Sequence, residues 1–190
     1  SKRVADISGG MKRRLALAAT LIHSPELIFL DEPTAGIDPI LRRKFWDHFT
    51  SLKDEDRTLV VTTQYVGEAA YCDYVAVLAD GELLMVETPD GLRRAAFGGD
   101  IIDLQLTHRP DPGLVDRIRE ASTAMDCQPV GVNGLRLVVE EAAIALPELS
   151  SWLGDNEIGI EQAEEWFPPF DDVFVELVSR HRTTAEPSDV

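Results

Sequence analysis

The chain has 190 residues, 44% of them hydrophobic and 27% charged, which is globular composition and excludes wholesale disorder. Its longest apolar run, residues 15–22, falls short of the roughly 18 residues that a bilayer span needs. Two cysteines, Cys72 and Cys127, make neither a disulfide framework nor a zinc knuckle.

The net charge of −16 is unevenly spread: residues 1–99 carry 12 Lys/Arg against 15 Asp/Glu, and residues 100–190 carry 6 against 19. So acidic a second half repels phosphate backbones, and nucleic acid is not an expected partner. The opening residues lack the apolar stretch of a secretory leader, and with only two cysteines, 55 positions apart, the expected compartment is a reducing cytoplasm.

In chain order, Ser8-Gly9-Gly10 precedes apolar residues at Met11, Leu15, Ala18, Ala19 and Ile22, spaced as one helix face, and Pro25 closes the segment. The run Leu27-Ile28-Phe29-Leu30 reads as a short strand buried on both faces, as in a parallel sheet, and it ends in Asp31-Glu32-Pro33. After Gly36 and Pro39, residues 40–52 read as a helix with Phe45, Phe49 and Leu52 on one side; residues 58–63 form a second buried strand. A helical stretch at 66–72 follows, then strands at 74–79 and 82–87 around the tight-turn pair Asp80-Gly81. Thr88-Pro89 caps a helix that stops at Gly98-Gly99.

Beyond this point come a strand at 101–106, a helix at 112–121 and a hairpin within 130–140 turning at Asn133-Gly134. A helix at 142–153, a strand at 159–162 and a closing helix at 171–182 complete the series. Strand, helix, hairpin, helix, strand suggests a small α+β sandwich of the ferredoxin-like sort, with Trp152, Trp166, Phe167, Phe170 and Phe174 filling its core. The charge step and the glycine pair place a domain boundary at 98–99, and the polar tail 183–190 is expected to be disordered.

Two features carry chemistry. Adjacent carboxylates at a strand end, Asp31 and Glu32, suit a site where the first helps hold Mg²⁺ and the second acts on an attacking water. Ser8-Gly9-Gly10 at a helix start offers free N–H groups that favour phosphate oxygens. The four histidines, His23, His48, His108 and His181, lack metal-ligand spacing.

Taken in order, I-S-G-G-M, L-I-F-L-D-E-P, A-G-I-D-P and T-T-Q-Y-V-G-E-A resemble the C-terminal half of an ABC transporter ATP-binding subunit, most of all the drug-resistance exporter type. Across 100–182 the resemblance rests on the closing P-P-F-D-D-V-F-V-E-L. It implies an α/β fold: the C-terminal part of a RecA-like P-loop nucleotide-hydrolase core over 1–98, then a small acidic domain over 99–182. Ser8, Gly9 and Gly10 would be the signature motif, touching ATP held by the opposite subunit of a head-to-tail dimer. Asp31 would be the Walker B magnesium residue, Glu32 the catalytic carboxylate and Asp38 the D-loop residue. Gln64 stands where the family has its switch histidine.

The implied function is ATP hydrolysis with Mg²⁺, powering a separate membrane-spanning permease from the inner face of the cell membrane. Two departures keep an alternative open. No lysine follows a glycine, so the phosphate-cradling loop G-x-x-x-x-G-K-[ST] is absent, and the chain reads as a fragment inactive by itself. Glutamine at 64 can donate a hydrogen bond but cannot carry charge. A catalytically silent ABC-like regulatory or scaffold subunit is the second reading, and a ligand-sensing module in 100–182 the third.

Overall fold

The computed structural model describes residues 7–185. By their contacts they divide into two compact units, the first ending at Tyr71 and the second beginning at Cys72.

In the first unit, helix α1 (Gly9–Leu21) is followed by strand β1 (Leu27–Asp31), helix α2 (Pro39–Lys53), strand β2 (Thr58–Thr62) and a 3-10 helix over Val66–Tyr71. β1 and β2 pair in parallel, with Leu27 opposite Thr58 and Asp31 opposite Thr62. Asp38 caps α2, its Oδ1 accepting from the Leu41 N–H at 3.0 Å, and Pro39 takes the first helical position, where no N–H is required. The buried side of α2 presents Phe45, Trp46, Phe49 and Leu52. Trp46 meets Phe49 edge-on at 5.5 Å and stacks on Tyr71 at 5.3 Å. The expectation of strands buried on both faces is not met: Ile28 is buried, but Phe29 is 70% exposed and Val60 is exposed too. The described residues give this sheet two strands, and α2 packs on β2 from one side.

The second unit opens with the expected hairpin, β3 (Val75–Ala79) and β4 (Glu82–Glu87), antiparallel. Asp80 and Gly81 have φ of 52° and 84°, the two left-handed positions of a type I′ turn. Helix α3 (Pro89–Phe97) begins at Thr88, whose hydroxyl accepts from the Gly91 N–H at 3.0 Å. It ends at Gly98, left-handed at φ 85°.

Then come β5 (Asp100–Leu106), α4 (Leu114–Ala121), β6 (Asp126–Val130), β7 (Gly134–Val139), α5 (Ala142–Asp155), β8 (Ile160–Trp166) and α6 (Phe170–Ala185). Strands β5 to β8 form one antiparallel sheet in the order β6-β7-β5-β8. With α4 and α5 as the two crossovers, this is the ferredoxin-like arrangement.

Several expectations are corrected here. Gly98-Gly99, expected as a domain boundary, lies within the second compact unit. Gly98 closes α3, and at Gly99 a Cβ would collide with the Val139 carbonyl oxygen, so the glycine lets β5 begin close against β7. Leu92 and Ala96 of α3 are buried, as are Phe170, Val173 and Leu177 of α6, and the two helices pack together. Arg182 grips Asp80 with two hydrogen bonds of 2.9 and 3.1 Å, fixing α6 to the hairpin turn. The compact unit therefore begins ahead of the charge step, at Cys72.

The core of this unit is aliphatic, built from Ile102, Leu104, Leu106, Leu114, Ile118, Leu135, Leu137, Leu149 and Leu153 with Cys127. Burial pushes the Cys127 thiol up to about 11. Of the five aromatics expected there, Trp152 packs at its margin, Phe170 is buried at the start of α6, and Phe167 is 55% exposed. Arg136 lies 3.6 Å over Trp166, and Arg93 4.2 Å over Phe170.

The β6–β7 turn falls at residues 131–133, since Val130 pairs with Gly134. Gly134 belongs to the strand, where a Cβ would come within 2.5 Å of the Val130 carbonyl oxygen. β8 runs four residues past the expected end, and α6 extends to Ala185 where a disordered tail was expected. Residues 186–190 lie outside the described residues.

Candidate functional site

Parallel pairing of β1 and β2 brings the ends of both strands to one edge, the edge at which open α/β sheets bind ligands. Asp31 is exposed there and accepts a short hydrogen bond from the Thr62 hydroxyl. The Glu32 N–H donates to the Thr62 carbonyl at 3.0 Å and to its hydroxyl at 3.2 Å. Glu32 is held at φ 46°, uncommon for a residue with a side chain and enriched at functional positions. Its Oε2 is enclosed and accepts no hydrogen bond among the described residues. A buried carboxylate oxygen left in that state calls for a donor.

Gln64 is exposed two residues beyond Thr62, and the next N–H, that of Tyr65, is fixed to the Thr63 hydroxyl at 3.0 Å. Asp38 is present at the start of α2 as its cap, so it has a structural partner already. At α1, Ser8 is the cap, its hydroxyl accepting from the Met11 N–H at 3.4 Å. Gly9 and Gly10 are the first two helical residues, and a Cβ on either would meet nothing within 4 Å. Among the described residues no hydrogen bond or ion pair joins Ser8, Gly9 or Gly10 to Asp31, Glu32, Asp38 or Gln64. The structure thus gathers Asp31, Glu32 and the loop bearing Gln64 at one strand edge and leaves the serine–glycine helix start unbonded to them.

Sequence reasoning missed a buried polar cluster behind this edge. The Thr34 hydroxyl donates to Glu68 Oε1 at 2.7 Å, with both side chains buried. Arg42 Nε lies 3.6 Å from the same oxygen, and its guanidinium covers the Tyr65 ring at 3.7 Å. No periodicity announces a buried glutamate in a 3-10 helix. The one available hint is that Glu68 lies four positions past Gln64 in a segment that has little else to anchor it.

A parallel strand edge ending in two carboxylates, with a second loop beside it, is the layout of a nucleotide hydrolase of the α/β class. The ABC transporter family model matches residues 1–35. The probable multidrug ABC transporter ATP-binding protein YbhF of Escherichia coli (strain K12) is 48% identical over 105 residues, 55% of this chain and 17% of that protein. The daunorubicin resistance ATP-binding protein DrrA2 of Streptomyces coeruleorubidus is 34% identical over 182 residues, 95% of this chain and 56% of that protein. The Nod factor export ATP-binding protein I of Neorhizobium galegae is 36% identical over 148 residues, 73% of this chain and 42% of that protein.

A solved ATP-binding subunit of an ABC transporter overlays 52% of this chain and 41% of its own, with 28% identity and a TM-score of 0.45. The chain is a relative of ABC transporter ATP-binding proteins, and it spans between 17% and 56% of the length of these curated relatives. No helix among the described residues is long and apolar enough to cross a membrane.

Proposed function

We propose that the chain is part of the ATP-hydrolysing subunit of an ABC exporter, working as a head-to-tail dimer on the cytoplasmic face of a separate membrane-spanning permease. The observation that carries this is the edge formed by β1 and β2, where Asp31 and Glu32 meet the loop bearing Gln64, in a chain related to exporter ATP-binding proteins. In this reading Glu32 orients and deprotonates the attacking water, a role suited to a carboxylate oxygen that takes no donor among the described residues. Gln64 donates its amide to the γ-phosphate. Ser8, Gly9 and Gly10 present helix N–H groups to nucleotide held by the partner subunit, and the open space around both glycines allows such an approach. Asp38, capping α2, belongs to the loop that faces the other subunit.

The residues present also fit Mg²⁺. A magnesium ion at a nucleotide is held by one or two carboxylates together with phosphate oxygens and water. Asp31 supplies one exposed carboxylate oriented by Thr62, and no group of three or more metal-ligating side chains exists among the described residues. The ion would offset charge on the phosphates.

The test is hydrolysis by a subunit that carries G-x-x-x-x-G-K-[ST] ahead of Ser1. It should turn over ATP in a Mg²⁺-dependent way, and Asp31→Asn should lower kcat at least tenfold. A subunit that folds, binds ATP and never hydrolyses it would instead support the catalytically silent reading, for which glutamine at 64 is the motivating residue.

A further inference from the structure

We infer that Thr34 and Glu68 are positioning residues that hold Gln64 at a fixed place relative to Glu32, an inference that rests on the ATPase reading above. The end of β2 and the loop after it are fastened to the end of β1 and the loop after it at two points, one on each side of Gln64. Ahead of it, Thr62 bonds to Asp31 and to the Glu32 N–H. Behind it, Glu68 takes the Thr34 hydroxyl, two residues past Glu32, at 2.7 Å. Gln64 is suspended between the two fastenings.

The second fastening is shielded from water. Thr34 is fully buried and Glu68 is 3% exposed, and a carboxylate so far from water is tolerable when it is hydrogen-bonded and faced by positive charge. Arg42 supplies that charge from 3.6 Å, held in turn over the ring of Tyr65, the residue next to Gln64. Arg42 is also in the first turns of α2, four residues past the cap Asp38. One buried carboxylate therefore registers three segments at once: the residues after Glu32, the start of α2, and the residues around Gln64. A group displaced by about 1 Å in an active site can lose on the order of 100-fold in rate, so the geometry of Gln64 depends on this cluster although none of its members reaches the strand edge.

A double-mutant cycle on the subunit carrying the phosphate loop separates positioning from plain structural support. Thr34→Val keeps shape and removes the hydroxyl. It should lower kcat about five- to tenfold, the loss expected when one hydrogen bond's worth of geometry is given up, while KM for ATP stays within about twofold. Thr34→Ser, which retains the donor, should recover most of the rate. In a Gln64→Ala background, Thr34→Val should add less than a twofold further loss, because the residue it positions is gone. Glu68→Gln keeps an acceptor and loses the charge facing Arg42; it is read in the same cycle and serves where Thr34→Val does not fold. Equal losses in both backgrounds, a change confined to KM, or an unaltered rate would each overturn the inference while leaving the ATPase reading intact. A Gln64→Ala subunit that hydrolyses ATP at the parent rate would remove the functional role of Gln64 and the inference with it.

Discussion

Replacing Asp100 by asparagine tests whether the residues on either side of the charge step form one cooperative unit. Asp100 opens β5 and sits at the meeting point of three elements. Its Oδ1 accepts from Arg94 Nε of α3 at 2.6 Å. Its Oδ2 accepts from Arg94 Nη2 at 3.2 Å and from the Ala142 N–H at the start of α5 at 3.0 Å. Burial works to raise the carboxyl's pKa, but the hydrogen bonds from Arg94 and Ala142 and the nearby guanidinium charge outweigh it and hold the group below its ordinary value. Asparagine keeps one acceptor and turns the other position into a donor aimed at N–H groups. Losing hydrogen bonds to a charged group costs about 1.5–3 kcal/mol. The Asp100 side chain is 9% exposed, but that of Arg94 is 56% exposed, so solvent screening brings the expectation to about 1–2 kcal/mol.

Urea unfolding at pH 7, followed by tryptophan fluorescence, should show the variant's midpoint falling by that amount with an unchanged slope. The folded carboxyl has a depressed pKa, so its contribution is fully present above the unfolded value of about 3.9 and disappears as pH falls through the folded value. Parent and variant should therefore differ at neutral pH and converge on acidification. A variant as stable as the parent at pH 7, or a gap that persists in acid, would refute the reasoning.

Two further outcomes follow from the same geometry. Gln64→His in a subunit with the phosphate loop should speed ATP hydrolysis, because charge-assisted hydrogen bonds are roughly twice as strong as neutral ones. A gain of about 1–2 kcal/mol in the barrier is roughly five- to thirty-fold in steady-state rate, and an unchanged or lower rate would mean the amide is fully competent. A chain of residues 72–190 should unfold cooperatively in a thermal melt, whereas one of residues 100–190 should not. The shorter chain lacks Leu92 and Ala96 against α6 and the Arg94 partner of Asp100; equal stability of the two would restore the boundary to 98–99.

Local chemistry was legible in the sequence wherever one residue type answers one backbone demand. Asp80-Gly81 makes the hairpin turn, Thr88-Pro89 starts α3, Gly98 stops it, and the alternation of elements after it already gives the ferredoxin-like order. What failed was inference from composition. The charge step at 98–99 is a property of the surface, and the salt bridge from Arg94 to Asp100 crosses it. The glycine pair suggests a boundary because a glycine needed for close backbone approach is identical in sequence to one that confers flexibility. β8 was read short because its second half, Glu164-Glu165-Trp166, shows no alternation of apolar residues, yet it is hydrogen-bonded along β5.

At the candidate site, the carboxylate pair at the end of β1 was visible as a strand ending in Asp-Glu. The cluster of Thr34, Arg42 and Glu68 was not, because a buried carboxylate bridging distant segments leaves no periodic trace.

The central claim is that Glu32 is the carboxylate that acts on water at an ATP site shared by two subunits. Glu32→Gln, made in a subunit that carries the phosphate loop, tests it most directly, since the change removes the base and leaves Asp31 and its Thr62 hydrogen bond in place. The measurement is single-turnover hydrolysis of radiolabelled ATP together with the subunit's mass in solution. The account predicts retained ATP binding, hydrolysis slowed by at least about 100-fold, the scale associated with losing a general base, and an ATP-dependent dimer that persists. Hydrolysis at the parent rate, with no dimer accumulating, would contradict it.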